Sequence, residues 1–321
     1  MSALPTRHGA QLIGDGIGTT VALACDVVSP LLGAPTALAV PLCHAPPRVR
    51  VLQTCRGVLE SVIVDPQGRL FFTSQTSDGL QGAVLRMDHP NATPVEIAGA
   101  IDSPGGLAFD ERGMLLVGFG NSPHGGLIGN VVGLAGVLLV DPETGERETW
   151  TTGLGMANGI ARAADGTIFA SSDLTSHIDR VDPHGNVDRR WARVPSANGL
   201  AIDPTGRYLF AAQTFVPAAI KRVEIANPAK VTTYAQPGPL GRTAMLDGLA
   251  IDDAGVLYVA ANGAGQIWRV DTNRSICALA RGLGCPSAVA VGQGSDGFHA
   301  GNLYAVTFHG DIIELTDAVS T

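Results

Sequence analysis

The chain has 321 residues, enough for two average domains but also within the range of one closed all-β domain. Only 16% of it is charged against 45% hydrophobic, and its 41 glycines and 20 prolines are scattered rather than gathered in tracts, which fits short strands joined by many turns. The formal charge of −8 argues against a nucleic-acid partner, which would call for a basic face, and suits a cation site instead.

Residues 1–46 read as an N-terminal extension and 47–321 as one domain. Leu12 to Leu42 is rich in Ala, Val, Leu and Gly, but Asp15 and Asp26 interrupt it, so it is a poor membrane span and no membrane partner is expected. The start is basic only at Arg7 and His8, a weak match to a secretory signal, so the expected location is cytoplasmic with secretion left open. Two uses remain for the extension: covering a propeller edge, or forming a subunit contact that would make a homodimer. The five cysteines, Cys25, Cys43, Cys55, Cys277 and Cys285, form no CxxC pair and cannot all be bridged, so they read as small buried apolar residues.

From residue 59 onward one segment recurs: LESVIVDPQG (59–68), GGLAFDERG (105–113), NGIARAADG (158–166), NGLAIDPTG (198–206), DGLAIDDAG (247–255) and, more loosely, SAVAVGQGSDG (287–297). Each runs into a second apolar strand such as RLFFTS, TIFASS or VLYVAA, which makes a β-hairpin. A third strand follows (VLRMD, VLLVD, IWRVD), and in most repeats a fourth (ETWTT, VDRRW, VTTYA). Four strands in a unit of about 40 to 50 residues is the pattern of a propeller blade, and six units predict an all-β, six-bladed β-propeller. The sixth unit lacks an outer strand, and VRVLQ (49–53), ahead of the first hairpin, is placed to supply it and close the ring.

Aligning the repeats on the turn glycine puts Glu60, Gly105, Asn158, Asn198, Asp247 and Ser287 at one equivalent position. Pseudo-symmetry then brings these residues around the central axis at one depth. Glu60, Asn158, Asn198 and Asp247 are oxygen donors, two anionic and two neutral, a set that suits one hard divalent cation. Ca2+ is the simplest choice, with Mg2+, Mn2+ or Zn2+ also accommodated. Asn and Asp before Gly are turn formers as well, but turn chemistry does not account for Glu60.

The ring resembles that of the SMP-30/gluconolactonase family of six-bladed propellers, through Glu60 in VLESVIVDPQGRLFF, Asn158 in MANGIARAADG, Asn198 in SANGLAIDPTGRYLF and Asp247 in LDGLAIDDAGVLYVA. The similarity spans residues 48–317. It implies metal binding by Glu60, Asn198 and Asp247, metal or substrate binding by Asn158, and acid–base chemistry at Asp247. Sugar lactonases of the family commonly carry Arg two residues before the equivalent of Asn158. This chain has Met156, so a less hydroxylated lactone or ester is the expected small-molecule substrate.

Loops joining the second and third strands should overhang the ring and set specificity. In the second repeat this loop, Asn121 to Leu134, is Gly-rich and carries His124, and it reads as a lid or pocket wall. His309 holds the same position in the sixth repeat, and Phe215 in the fourth is a candidate apolar wall. The expected mechanism is metal-dependent hydrolysis, the metal polarising a carbonyl and activating water, with Asp247, or secondarily Glu60, as general acid/base. No GxSxG elbow argues for a covalent nucleophile. Competing readings on the same scaffold are a phosphotriester hydrolase, a non-catalytic calcium-stabilised binding propeller and, less favoured by the acidic ring, a biosynthetic condensation of the strictosidine synthase-like type.

Overall fold

The computed structural model describes residues 18–55, 57–76, 79–122, 128–129, 131–215 and 217–319. Among them, six four-stranded antiparallel sheets follow one another along the chain. Blade 1 runs from β2 (Val58–Val64) through β3 (Leu70–Gln75) and β4 (Gln81–Met87) to β5 (Val95–Asp102). Blade 2 is β6 (Leu107–Phe109) to β9 (Arg147–Leu154), blade 3 is β10 (Ile160–Arg162) to β13 (Val187–Ala192), and blade 4 is β14 (Ala197–Ile202) to β17 (Asn227–Ala235). Blade 5 is β18 (Leu246–Ile251) to β21 (Ile276–Arg281). In blade 6, β22 (Pro286–Val291), β23 (Leu303–Thr307) and β24 (Asp311–Thr316) are completed by β1 (Arg48–Thr54), from the other end of the chain. β1 lies antiparallel to β24, with Arg48 opposite Thr316, and Arg50 Nε donates to Glu314 Oε2 at 3.0 Å across the seam.

The core is divided among the blade interfaces. Six apolar clusters each draw on two neighbouring blades, for example Phe71 with Leu115 between blades 1 and 2, and Phe210 with Trp268 between blades 4 and 5. The Trp268 indole N–H donates to Gln266 Oε1 at 2.8 Å, so the large ring is buried without an orphaned donor. Blades wedge against one another in this way because each twisted sheet has two apolar faces to cover.

Inner hairpins turn through the Asp-x-x-Gly segments on which the repeats were aligned. In blade 5, Asp252 Oδ1 accepts the Ala254 and Val256 N–H groups while Gly255 sits at φ 82°. Blade 1 repeats this, Asp65 Oδ1 accepting from Arg69 N at 2.8 Å with Gly68 at φ 74°. Asp supplies the local acceptor and Gly tolerates the left-handed conformation.

The extension holds a helix that its composition did not point to: α1 (Gly18–Ala39), with Pro30 and Pro35 inside it. Packing rather than propensity holds it. It rests on the 3₁₀ turn Pro239–Gly241 ahead of blade 5 and on the loop after β19 (Leu257–Ala261), where Leu32 meets Gly263. Arg281 Nη2 donates to the carbonyl of Val40 at 2.6 Å, satisfying an orphan acceptor at the helix C-terminus. No helix among the described residues is long and apolar enough to cross a membrane.

The reading of all five cysteines as small buried apolar residues is corrected. Beyond α1 the chain runs beside β21, Cys43 N donating to Ala278 O at 3.0 Å and Ala278 N to Pro41 O at 2.8 Å. This sets Cys43 beside Cys277, with Cα atoms 4.9 Å apart, and the two form a disulfide. Cys285 is also disulfide-bonded, and Cys55 is free. The 234 residues between Cys43 and Cys277 hid the pairing from any reading of local spacing.

Candidate functional site

In four of the six blades the innermost strand breaks register where the aligned ring residue falls. The ladder shifts between Leu59 and Val62, between Ala197 and Leu200, between Leu246 and Leu249, and between Pro286 and Ala288. These irregularities bracket Glu60, Asn198, Asp247 and Ser287, and a bulge re-aims a side chain. The glycine after the ring residue follows from crowding at the axis. A Cβ on Gly199 would lie 2.3 Å from Leu249 N, and one on Gly159 would lie 2.5 Å from the Asn198 carbonyl oxygen. Asn-Gly and Asp-Gly at these points are therefore packing requirements rather than turns.

In three blades a hydroxyl group pins the inner strand to the next blade. Ser171 Oγ accepts from Gly159 N at 2.9 Å and donates to Asn198 O at 2.6 Å. Thr73 Oγ1 likewise accepts from Ser61 N and donates to the Gly105 carbonyl at 3.3 Å. Ser287, which takes the ring position in blade 6, is fully buried and uses its hydroxyl for the same purpose, donating to Leu59 O at 2.6 Å.

Glu60, Asn158, Asn198 and Asp247 all line one central channel of about 330 Å³. Asn158, Asn198 and Asp247 are buried, and Glu60 is partly so. Three residues absent from the repeat alignment join them. Asn121 Nδ2 donates to Glu60 Oε1 at 3.0 Å, Asn262 Nδ2 donates to Asp247 Oδ2 at 3.2 Å, and Asp173 is hydrogen-bonded by the Asn158 side chain. All three follow the second strand of their blades, which runs antiparallel to the first and ends beside the ring position. The available signal was the polar residue closing each second strand in VGFGN, FASSD and YVAAN.

The electrostatics are those of a crowded acidic pocket. Burial pushes the Glu60 carboxyl up to about 7, the Asn121 hydrogen bond opposing and the Asp173 charge adding. Asp247 lies well above the ordinary carboxylate range, first through burial and then through the charges of Glu60 and Asp173, against hydrogen bonds from Asn262 and Asn198. Asp173 rises to about 6, again through burial. Asp173 Oδ1 and Asn121 Oδ1 are buried without a hydrogen-bond partner. Mutually repelling carboxyls with idle oxygens beside them are a donor set that fits a hard cation. Among the described residues no three His, Cys, Asp or Glu side chains are grouped as a metal cluster, so amide oxygens would have to complete the shell.

Met156 is buried beside the ring, its sulfur 3.5 Å from Ser172 Oγ. Phe215 stands on the blade 4 loop, 45% exposed. His309 is in the blade 6 loop with its ring against Gly284, next to the bridged Cys285, and does not line the channel. His124 lies outside the described residues.

Residues 171–304 match the family model of the SMP-30/Gluconolactonase/LRE-like region. Over that stretch the chain is similar to this family, and its architecture is a six-bladed β-propeller. A gluconolactonase from Xanthomonas campestris superposes with a TM-score of 0.65 at 18% identity, over 87% of this chain and 97% of that one. A calcium-binding protein, regucalcin, from Agrobacterium tumefaciens gives 0.64 at 18% identity, over 84% and 94%. The virginiamycin B lyase of Staphylococcus aureus shares the fold more loosely, at 0.55 and 12% identity over 84% and 99%. At these identities the likeness is one of fold. No curated protein sequence matches the chain.

Proposed function

We propose that this SMP-30/gluconolactonase-like propeller is a metal-dependent hydrolase of a small lactone or ester. The observation that carries the reading is the meeting of Glu60 and Asp247 with the amides of Asn158 and Asn198 around one channel, with Asp173 close enough for its charge to raise both carboxyls. A divalent cation, Ca2+ first among the candidates, would be held by Glu60, Asn158, Asn198 and Asp247 and would supply carbonyl polarisation and a more acidic water.

The chain's own groups do the remaining work. Asp247 accepts the proton of the attacking water and returns it to the departing alkoxide, while Asn262 fixes the orientation of its carboxylate. Glu60, held by Asn121, is the second candidate for that proton. Asn158 is shared between the ring and Asp173, which places it to contact substrate as well as metal. Met156 closes the pocket with an apolar surface where a guanidinium would have addressed hydroxyl groups.

The test is a hydrolysis screen of lactones, aryl esters and a phosphotriester, with chelator and with each metal restored. The reading expects turnover of a lactone or ester that is lost with chelator and regained with Ca2+. Full activity in rigorously metal-free protein would overturn it, and so would metal binding without turnover of any substrate, as for a binding propeller.

A further inference from the structure

Exposed large apolar side chains are not spread evenly over the molecule. Among the described residues, six of the fourteen lie in blade loops on the face that carries the ring: Leu80 in blade 1, Ile128, Val131, Val132 and Leu134 in blade 2, and Phe215 in blade 4. Leu240, half-exposed on the connection into blade 5, belongs to the same arc, and α1 adds to it at blade 5.

Backbone hydrogen bonds tie this arc to the segments that deliver the ring residues. Leu80 O accepts from Ser103 N, two residues before ring position Gly105, and Phe215 N donates to Ser196 Oγ at 3.1 Å, two residues before Asn198. In blade 2, Gly129 lies against Gly155 O, next to Met156, and Arg189 clamps the loop through the carbonyls of Gly129 and Gly153. The apolar side chains are therefore anchored around the channel mouth rather than carried on free segments.

Charge is sparse on this arc. The stretches 120–134, 214–218 and 262–265 contain no Lys, Arg, Asp or Glu, Arg189 is committed to Asp179 and two carbonyls, and Asp78 near Leu80 and Arg242 near Leu240 are the charged residues closest in sequence to the collar. The arc is broken at blade 3, where the loop carries Asp173 and His177.

We infer that the collar is the binding site for the hydrocarbon part of an uncharged ester or lactone, so that the site selects alkyl- or aryl-substituted substrates with Leu80, Val131, Phe215 and Leu240 as specificity-determining residues. This rests on the hydrolase reading above. Each methylene fully buried on the collar favours the longer substrate by about fourfold, enough to separate long from short substrates.

The experiment uses the full chain with Ca2+ and compares p-nitrophenyl acetate with p-nitrophenyl octanoate. A parallel titration uses the neutral fluorophore N-phenyl-1-naphthylamine and needs no turnover. The expected result is a kcat/KM at least about tenfold higher for the octanoate and saturable fluorophore binding. Both should be reduced in L80S/V131S/F215S and unchanged in V95S, which removes an equally exposed valine from outer strand β5. Fluorophore binding with no hydrolysis of either ester would sink the hydrolase reading and leave the collar as an apolar ligand site. Equal kcat/KM for the two esters, or a collar variant that binds the fluorophore as wild type does, would overturn the collar. Collar-dependent sedimentation with phosphatidylcholine vesicles, or a collar-dependent dimer in the ultracentrifuge, would also overturn it by giving the face another occupant.

Discussion

On the face away from the ring, the inner hairpins of blades 1 to 5 turn through an aspartate that caps backbone N–H groups, and charged pairs such as Arg69 with Asp65 and Glu143 lie over those turns. On the ring face the blade 2 loop is long and free of Lys, Arg, Asp and Glu, and the shorter loops of the other blades join it around a core of buried carboxyls. One repeat thus makes two surfaces. The turn face meets its own polar requirements locally, whereas the ring face leaves carboxyl groups repelling one another. The first arrangement serves stability, and the second serves binding at a cost in stability.

The sharpest test of that division is a pair of aspartates five residues apart in blade 5. Asp247→Asn on the ring face should lower kcat/KM for the best substrate by ~10³-fold or more while leaving the melting temperature unchanged or raised. Asp252→Ala on the turn face removes the acceptor for the Ala254 and Val256 N–H groups and the Tyr258 hydroxyl. It should cost about 1–3 kcal/mol of stability with kcat/KM unchanged. Kinetics and thermal melts on both variants would break the comparison if the effects were exchanged.

Next in size is the staple between the extension and blade 5. Replacing Cys43 and Cys277 by serine together should reduce unfolding free energy by about 2–5 kcal/mol, measured by denaturant titration under non-reducing conditions. Loosening α1 from Gly263, beside Asn262, should also weaken Ca2+ binding if the ring face depends on that support.

A smaller effect comes from pH. Glu60 is raised from 4.5 to about 7, so in metal-free protein its stabilising contribution is complete below pH 4.5 and is lost as pH rises through about 7. Asp173 and Asp247 shift in the same direction. Melting temperature in chelator should therefore fall across this interval, and saturating Ca2+ should flatten or reverse the slope. A rising melting temperature in chelator would contradict the crowded-acid description. Least of all should change in Arg180→Ala in blade 3: its salt bridge to Asp188 is at the surface, and losing it should cost under about 1 kcal/mol with no kinetic effect.

The blade pattern and the ring positions were legible because they repeat. Alternating apolar strands and a turn glycine recur with a fixed offset, so Glu60, Asn158, Asn198 and Asp247 could be aligned without knowledge of the fold, and all four line the channel. Asn121, Asp173 and Asn262 were not recovered because they lie past the second strand, where loop length varies between blades and the register from the turn glycine is lost. Cys43 with Cys277 and the course of α1 were invisible for another reason. They depend on long-range contacts with no sequence period, and Pro30, Gly33 and Pro35 actively disfavour a helix that only packing can hold.

The seam of blade 6 has a consequence for how the molecule is made. Arg48 finds its partner Thr316 only after 268 further residues have left the ribosome, on the order of 13–50 s at bacterial to eukaryotic elongation rates. Until then the face of β1 that will pair with β24 has no partner, and the ring is an open crescent with an apolar blade edge at each end. Strand β24 is thus a latch. Removing the segment Asp311–Thr316 would leave five complete blades and no closed channel.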